Sequence, residues 1–556
     1  MEAQPLSSED PVDIVVALSG AIAVGKSTAA SKLVERWGGT VVKTRDAIVD
    51  LASKRGIDLT ERRAMQDFGD ALDAETGGRW VSGAAHAHDA DNSSRLLIID
   101  AVRIREQIDE LRVSFGRRLV HVHLVAADRT VLAARYRARR PNSLTELASY
   151  EMLAENPTEA KIDELGTIAD VVLDTHRNTI EDLVIRCAAR LGLLPALTTP
   201  LVDVLVGGQF GSEGKGNIAY HLAPEYGLLV RVGGPNAGHK VRHDGAVLTH
   251  RTLPSGARAN PHAPLVVGPG AVVNPRILLA EIEATGVDQA RVSVDEQAMV
   301  ITDDDIAREV ELKGAIGSTG EGVGAAAARR ILGRDGSAKL ARDHPDLRPF
   351  LADTGSLLND AFSAGKFVLV EGTQGTGLSM FHGQYPFVTS RDTTIAGTLS
   401  EAGIGPRRVR RAIVTVRTYP IRVAGNSGPI GHGREIQWSE IEQRSGHAPG
   451  DIRDISSVTQ KVRRVAEFDW ELLRRSAELN SATDIALTFA DYLDRKNENA
   501  YRYEQLTGTT IEFVEEVESV TGAAVSLIAT SFLERGIIDR RTWRGARPTR
   551  LPIPEA

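Results

Sequence analysis

The sequence predicts an α/β protein made of two P-loop-type, parallel-sheet α/β domains in tandem. Two short apolar runs, Ile14–Leu18 and Val202–Val206, each lead straight into a glycine-rich loop. Behind each loop, apolar runs of strand length alternate with helical stretches, the pattern of a parallel sheet with right-handed crossovers. Between the two blocks lies Leu191-Gly-Leu-Leu-Pro-Ala-Leu-Thr-Thr-Pro200, whose prolines and paired threonines read as a linker. The expected units are therefore residues 1–195 and 200–556, with the boundary near 195–200.

In the first block the strand Ile14–Leu18 is followed by a helix over Gly25–Trp37, a strand over Thr40–Lys43 and a buried strand over Arg95–Asp100. A strand over Leu119–Val125, a helical stretch from Asp128 to Arg140, a strand over Val171–Asp174 and a closing helix from Thr179 to Leu191 complete it. The second block repeats this logic with strands at Leu228–Val232, Lys366–Val370, Arg411–Val416 and Ile485–Thr488. No short-period repeat interrupts either block.

Composition narrows the function classes. Of 556 residues, 42% are hydrophobic and 25% charged, enough apolar side chain for large cores. A net charge of −8 disfavours a double-strand nucleic-acid binder, which normally carries a basic excess. The single cysteine, Cys187, excludes an internal disulfide and any multi-cysteine zinc site. No stretch reaches the ~20 apolar residues of a membrane span. The acidic, polar start lacks the basic region of a secretion signal, so a cytoplasmic location without membrane association is expected.

Gly20-Ala-Ile-Ala-Val-Gly25-Lys26-Ser27 fits G-x-x-x-x-G-K-[ST] and stands between a strand and a helix, the context the motif requires. Its glycines let backbone N–H groups converge on phosphate oxygens, and the helix N-terminus adds its positive dipole end. Lys26 is expected to reach the β and γ phosphates and Ser27 to ligate Mg²⁺, with Thr28 following in the same turn. The block resembles nucleoside-monophosphate kinases, including dephospho-CoA kinases, over roughly residues 12–192. That resemblance implies that Asp100, at a strand end, serves Mg²⁺ or the acceptor, and that Arg45 and Asp46 lie on the acceptor side. Arg135, Arg137, Arg139 and Arg140 would form a lid that clamps the transferring phosphates. The acceptor is not readable, and a silent, nucleotide-sensing domain stays open.

The second block carries five ordered motifs. Gly207-Gly-Gln209-Phe-Gly211-Ser212-Glu213-Gly214-Lys215-Gly216 comes first, and Arg231-Val-Gly233-Gly234-Pro-Asn236-Ala-Gly238-His239 second. Ile316-Gly-Ser-Thr319-Gly-Glu-Gly-Val-Gly324, Glu371-Gly-Thr-Gln374-Gly-Thr376 and His382-Gly-Gln-Tyr-Pro-Phe-Val-Thr389-Ser390 follow. Together they resemble the signature loops of the adenylosuccinate synthetase family. The resemblance implies an NTP-dependent ligase that phosphorylates the 6-oxygen of a purine nucleoside monophosphate and then displaces phosphate with the amine of L-aspartate. It implies Mg²⁺, with the Gly238 carbonyl as a ligand, and ATP or GTP as co-substrate. By the same resemblance His239 is the general acid at O6; Asn236, Thr319, Gln374 and Thr389 contact the monophosphate, Gln374 also serving the chemical step. Gly211, Glu213, Gly214, Lys215 and Gly216 hold the NTP. The family's homodimer sends an arginine to the partner's nucleotide, and Arg329 or Arg330 is the expected counterpart.

Three departures bear on substrate. Ser212 stands where the family has its catalytic aspartate, and a serine has no useful basicity at neutral pH. The same change marks phage-associated relatives that take dGMP and make 2-amino-deoxyadenylosuccinate; a hydroxyl leaves room for the C2 amine. A guanine-type substrate (dGMP or GMP) is the preferred expectation, with IMP and an inactive sensor as alternatives. In Thr488-Phe489-Ala490-Asp491 the family's base-reading aspartate survives as Asp491, but Phe489 replaces its lysine, which makes ATP plausible beside GTP. In the aspartate loop, Thr459 would bind the aspartate carboxylate, Lys461 would lie near ribose and aspartate in place of an arginine, and Arg463 near the NTP.

Overall fold

The computed structural model describes residues 14–59, 62–89, 96–138, 150, 157–194, 199–455, 461–532 and 536–542. The chain divides into two compact units, Met1–Pro195 and Ala196–Ala556.

The first unit is a five-stranded parallel sheet. Its strands are β1 (Ile14–Gly20), β2 (Thr40–Lys43), β3 (Leu96–Asp100), β4 (Leu119–Val125) and β5 (Val171–Asp174), in the order β2-β3-β1-β4-β5. The helices are α1 (Lys26–Trp37), α2 (Thr44–Lys54), α3 (Arg62–Thr76), α4 (Arg79–Asp89), α5 (Arg105–Phe115), α6 (Arg129–Arg137), α7 (Pro157–Ala160) and α8 (Ile180–Arg190). Alternation along β1 feeds two cores. Val16 and Leu18 pack with Leu33, Val122 and Val184 on one face, while Val15 and Ala17 pack with Leu97, Ile108 and Phe115 on the other. Cys187 is buried in the first core, where loss of hydration pushes its thiol up to about 11. The expected strands appear within a residue or two of their predicted ends. The predicted Asp128–Arg140 helix is α6, with Asp128 as its cap, accepting from the Thr130 N–H at 2.8 Å. Helices α2, α3, α4, α5 and α7 have no counterpart in the sequence reading.

The second unit holds a ten-stranded sheet. Its strands are β6 (Val202–Gly207), β7 (Leu228–Arg231), β8 (Leu265–Val267), β9 (Val292–Asp295), β10 (Leu351–Ala352), β11 (Val368–Gly375), β12 (Val409–Arg417), β13 (Asp484–Thr488), β14 (Ala524–Ala529) and β15 (Ile537–Asp539). They lie in the order β10-β9-β8-β7-β11-β6-β12-β13-β14-β15, parallel throughout except for β15 at the edge. The central strands are apolar on both faces, as a sheet covered on both sides requires. The carboxyl ends of β6, β7, β11 and β13 carry sequence motifs, so the topology gathers them at one edge, where open α/β sheets bind ligands. Among the described residues no helix is long and apolar enough to cross a membrane.

One polar contact fixes the middle of this sheet. Asp203 of β6, fully buried, accepts from Arg410 Nε of the neighbouring β12 at 2.9 Å and from the Tyr226 hydroxyl. Removing the carboxylate leaves a desolvated guanidinium and phenol behind. Asp203→Ala is expected to cost about 3–5 kcal/mol, read as earlier loss of hydrogen-exchange protection in β6 and β12 on urea titration of the full chain.

Candidate active site

The loop from β6 to α9 (Lys215–Leu222) is built around one carboxylate. Glu213 Oε1 accepts from the N–H groups of Gln209 (3.0 Å) and Gly211 (2.8 Å), and Oε2 accepts from Lys215 Nζ at 2.6 Å. Both members of this pair are 1% exposed. Gly214 caps α9 in the left-handed region at φ +78, which a side chain rarely adopts. At Gly216 a Cβ would stand 2.8 Å from His239 Cβ, so glycine is what admits the histidine to the helix start.

His239 follows the second glycine loop and is 6% exposed. Its Nδ1 meets Glu371 Oε1 in a short contact; Ser255 Oγ donates to the same oxygen, and the Ser255 N–H bonds Oε2 at 2.7 Å. Arg231 Nη1 lies 3.1 Å from Glu371 Oε1 and 3.1 Å from His239 Nδ1. A carboxylate accepts, so Nδ1 carries the proton and Nε2 presents its lone pair. Nε2 is buried and has no hydrogen-bond partner among the described residues. Burial, and then the charge of Arg231, hold the imidazole well below its ordinary pKa. Burial pushes the Glu371 carboxyl up, but Arg231, His239 and Ser255 outweigh it and hold it low.

A cavity of about 490 Å³ opens beside these loops. It brings together Gly211, Ser212, Gly214, Lys215, Gly216, Gly238, His239, Arg463 and Asp491, nine of the residues the sequence selected. Ser212 Oγ accepts from Arg463 Nη1, and the Ser212 carbonyl accepts from Arg417 Nη1 at 3.0 Å. Arg417 is 1% exposed; it also donates to Asp454 at 2.9 Å and lies 4.0 Å beneath the Phe489 ring. Phe489 sits in the left-handed region (φ +59), its carbonyl held by Thr418 Oγ1 at 2.7 Å, so the ring is fixed at the cavity wall. Burial raises the Asp491 carboxyl to about 7. Arg417, Asp454 and Ser255 are functional candidates that the sequence reading missed. Each acts through partners far away in the chain, with no local motif to mark it.

Other selected residues lie outside this cavity. Gln374 (φ +61) donates to Thr389 Oγ1 at 3.0 Å. Gln374 Oε1 and Asn236 Oδ1 are buried without hydrogen-bond partners among the described residues, the state expected of groups that await a polar ligand. The segment carrying Thr319 is anchored by Glu309, which accepts from the N–H groups of Gly322 and Ala325 at 2.8 and 3.0 Å. Arg251 ties that segment to the Asn236 loop through the Pro235 carbonyl (2.7 Å) and an ion pair with Glu321 (2.9 Å). Lys461 is exposed, and Thr459 lies outside the described residues.

The two arginines expected to cross to a partner are turned into their own unit. Arg329 pairs with buried Asp305 at 2.7 Å, and Arg330 donates to the carbonyls of Pro269 (3.0 Å) and Gln297 (2.7 Å). Both lie in the last turn of the helix Val323–Leu332.

In the first unit Ser27 Oγ donates to Asp100 Oδ2 at 2.6 Å, and Lys26 Nζ folds back onto the carbonyls of Gly20 (2.5 Å) and Ala21 (2.9 Å). Gly20 and Gly25 shape the loop at φ +132 and +105, and Thr28 is exposed at the start of α1. Asp46 is exposed in the first turn of α2. Arg135, read as a lid arginine, instead donates to Thr175 Oγ1 (2.9 Å) and its carbonyl (2.7 Å) at the end of β5, because α6 packs along that strand. Arg139 lies outside the described residues.

A parallel sheet with phosphate-type loops, a cavity lined by glycines and charged side chains and a His–Glu–Arg cluster at its rim define a nucleotide-binding enzyme. The family model for adenylosuccinate synthetase matches residues 204–343 and 335–500. The Archaeoglobus fulgidus adenylosuccinate synthetase is 38% identical over 345 residues, which span 61% of this chain and 98% of that protein. The Methanocaldococcus jannaschii adenylosuccinate synthetase is 36% identical over 349 residues, or 61% of this chain and 96% of the other. Among solved structures, the cyanophage S-2L succinoaminodeoxyadenylate synthetase bound to dGMP and dATP aligns with a TM-score of 0.53 and 28% identity, over 62% of this chain and 96% of that one. The Plasmodium falciparum adenylosuccinate synthetase shares the fold at 19% identity (TM-score 0.52; 62% and 100% covered). The chain belongs to the adenylosuccinate synthetase family. It is a C–N ligase of a family that binds a nucleoside monophosphate, aspartate and an NTP with Mg²⁺.

The His239–Glu371 pair gives a pH signature. With its folded pKa held below the ordinary 6.5, His239 takes up a proton more readily in the unfolded chain, so stability falls as pH drops below about 6.5. The Glu371 contribution is present above its ordinary 4.5 and disappears at lower pH. His239→Gln is expected to flatten the loss of urea stability between pH 7 and pH 5, followed by hydrogen exchange in β11. An unchanged slope would show that His239 is not held neutral.

Proposed function

We propose that the second unit joins L-aspartate to C6 of a guanine-type purine nucleoside 5′-monophosphate, dGMP or GMP, giving a 2-amino-adenylosuccinate, with ATP as the preferred phosphoryl donor. The observation that carries this reading is Ser212. Its hydroxyl, bonded to Arg463, replaces a carboxylate at the purine N1 side and leaves space for an exocyclic amine at C2. The likeness to the cyanophage synthetase bound to dGMP and dATP supports the same choice. For the donor, the Phe489 ring backed by Arg417 offers an apolar stacking face where the family has a lysine.

The chemistry follows from the residues around the cavity. O6 must become nucleophilic, take the γ-phosphoryl group and then leave as phosphate when the aspartate amine attacks C6. Lys215 and the loop amides face the NTP phosphates. His239 Nε2 lies where a polyphosphate would favour imidazolium, which donates to the transferring group and to O6. Among the described residues no three His, Cys, Asp or Glu side chains cluster to hold a metal. The Gly238 carbonyl and NTP oxygens form an all-oxygen donor set that suits Mg²⁺, which would neutralise phosphate charge there. Asn236, Gln374, Thr319 and Thr389 bind the monophosphate, and Thr459, Lys461 and Arg463 serve aspartate and NTP. A homodimer is part of this reading, with Arg329 or Arg330 as the arginine that crosses to the partner's nucleotide.

The first unit is proposed to transfer a phosphoryl group from NTP to a nucleoside monophosphate, with Lys26 on the phosphates and Ser27 and Asp100 on Mg²⁺. The two activities separate by experiment. The full chain with Mg²⁺, aspartate and ATP or GTP is incubated with IMP, GMP or dGMP, and succinyl-purine is measured. Product from dGMP or GMP but not IMP is expected; product from IMP alone would refute the guanine reading, and none from any would favour a sensor. Ser212→Asp is expected to move preference toward IMP, and Phe489→Lys to raise use of GTP against ATP. Lys26→Ala is expected to abolish monophosphate kinase activity and leave succinyl-purine formation unchanged; persistent kinase activity would refute the first-unit assignment.

A further inference from the structure

The site as proposed lacks an acceptor for the purine N1 proton. The carboxylate that would take it is absent at Ser212, and a serine hydroxyl is too weak a base. Glu213, next in sequence, is 1% exposed and fully engaged by two amides and Lys215. Glu371 lies behind His239, bonded to Ser255 and Arg231. Asp491 stands on the NTP-base side, two residues after Phe489. Among the described residues one carboxylate at the cavity remains, Asp454.

Asp454 is fixed beside Ser212. Its Oδ2 lies 2.9 Å from Arg417 Nη1, and the Ser212 carbonyl lies 3.0 Å from the same nitrogen, which places the two oxygens within about 6 Å of each other. Arg463 bridges them on the other side: Nη1 donates to Ser212 Oγ, and Nε is 3.5 Å from Asp454 Oδ1. The backbone locks this arrangement, because the Arg463 N–H donates to the Asp454 carbonyl at 2.9 Å and Ile455 bridges to Val462. Arg417 is 1% exposed whereas the Asp454 side chain is 20% exposed, so the carboxylate forms the cavity wall and the guanidinium lies behind it. Two guanidiniums here share one carboxylate; an aspartate at 212 would have supplied a second.

We propose that Asp454 is the proton acceptor for purine N1, a carboxylate moved from the phosphate loop to the neck of the aspartate loop. The inference rests on the reading that Ser212 faces N1. In the step, the Asp454 carboxylate takes the N1 proton, and the N–H electron pair moves through the ring to O6. O6 then bonds to the γ-phosphorus as the bond to the β–γ bridging oxygen breaks and NDP departs. Ser212, accepting from Arg463, keeps its own proton free to donate to the ring.

Asp454→Asn in the full chain tests this on whichever purine nucleotide the wild type converts. The expected result is a fall in kcat of about 10²–10⁴-fold with KM for the NTP little changed. The lost rate is expected to recover as pH rises toward the ionisation of the purine N1 itself. Adding Ser212→Asp to the Asp454→Asn chain is expected to restore turnover with IMP, which lacks the C2 amine that an aspartate at 212 would crowd, and this also shows that the variant folds. A kcat within about threefold of wild type would overturn the proposal. So would a loss that is flat with pH and not rescued by Ser212→Asp, since Asp454 would then only position Arg417. Absence of succinyl-purine from the wild type with every purine would overturn the proposed function itself, and this step with it.

Discussion

The buried contact between Glu213 and Lys215 is the constraint on which the second unit's site depends. Two charged side chains at 1% exposure are expensive to desolvate, and the cost is offset only because the carboxylate also collects the amides of Gln209 and Gly211. That single group closes the loop, sets Gly214 to cap α9 and holds Lys215 at the cavity. The Thr488 hydroxyl bonds the Glu213 carbonyl at 2.7 Å and so fastens the end of β13 to the same loop. The position of Phe489 and Asp491 follows from this contact, as does the approach of His239 to Gly216.

Around that loop stand two charge clusters of different character. At the His239 end, Arg231 and Glu371 balance each other, and Ser255 fills the remaining carboxylate valence, so a neutral imidazole can be held with one nitrogen open. At the Ser212 end, among the described residues, Arg417 and Arg463 both pair with Asp454, so two guanidiniums meet one carboxylate beside the substituted residue. Arg417 joins the two halves of the chemistry, because the same guanidinium lies under the Phe489 ring and bonds the Ser212 carbonyl. The residues that replace the family's lysine and aspartate therefore meet on one side chain.

The glycine loops were legible in the sequence because their physics is local: strand, glycine spacing and helix start lie within a dozen residues. All five strands of the first sheet and β6, β7, β11, β12 and β13 of the second were legible for the same reason, through short apolar runs, whereas β8, β9, β10, β14 and β15 were not. Arg417 and Asp454 were not, since they sit 205 and 242 positions after Ser212 and have meaning only once β12 lies beside β6. Helices α3 and α4 escaped because their apolar residues are sparse between polar ones. Arg135, Arg329 and Arg330 were selected on residue type alone, which does not show where a long side chain rests. In the structure each donates to a carbonyl, hydroxyl or carboxylate of its own unit.

The central claim is that this cavity activates the purine 6-oxygen by phosphorylation before aspartate enters. The direct measurement uses the guanine-type monophosphate labelled with ¹⁸O at O6, with aspartate, Mg²⁺ and ATP, followed by mass analysis of the inorganic phosphate and the succinyl-purine. The account predicts that the label leaves with the phosphate, one ¹⁸O for each succinyl-purine formed. Unlabelled phosphate, with the label released to water or retained on the purine, would contradict it.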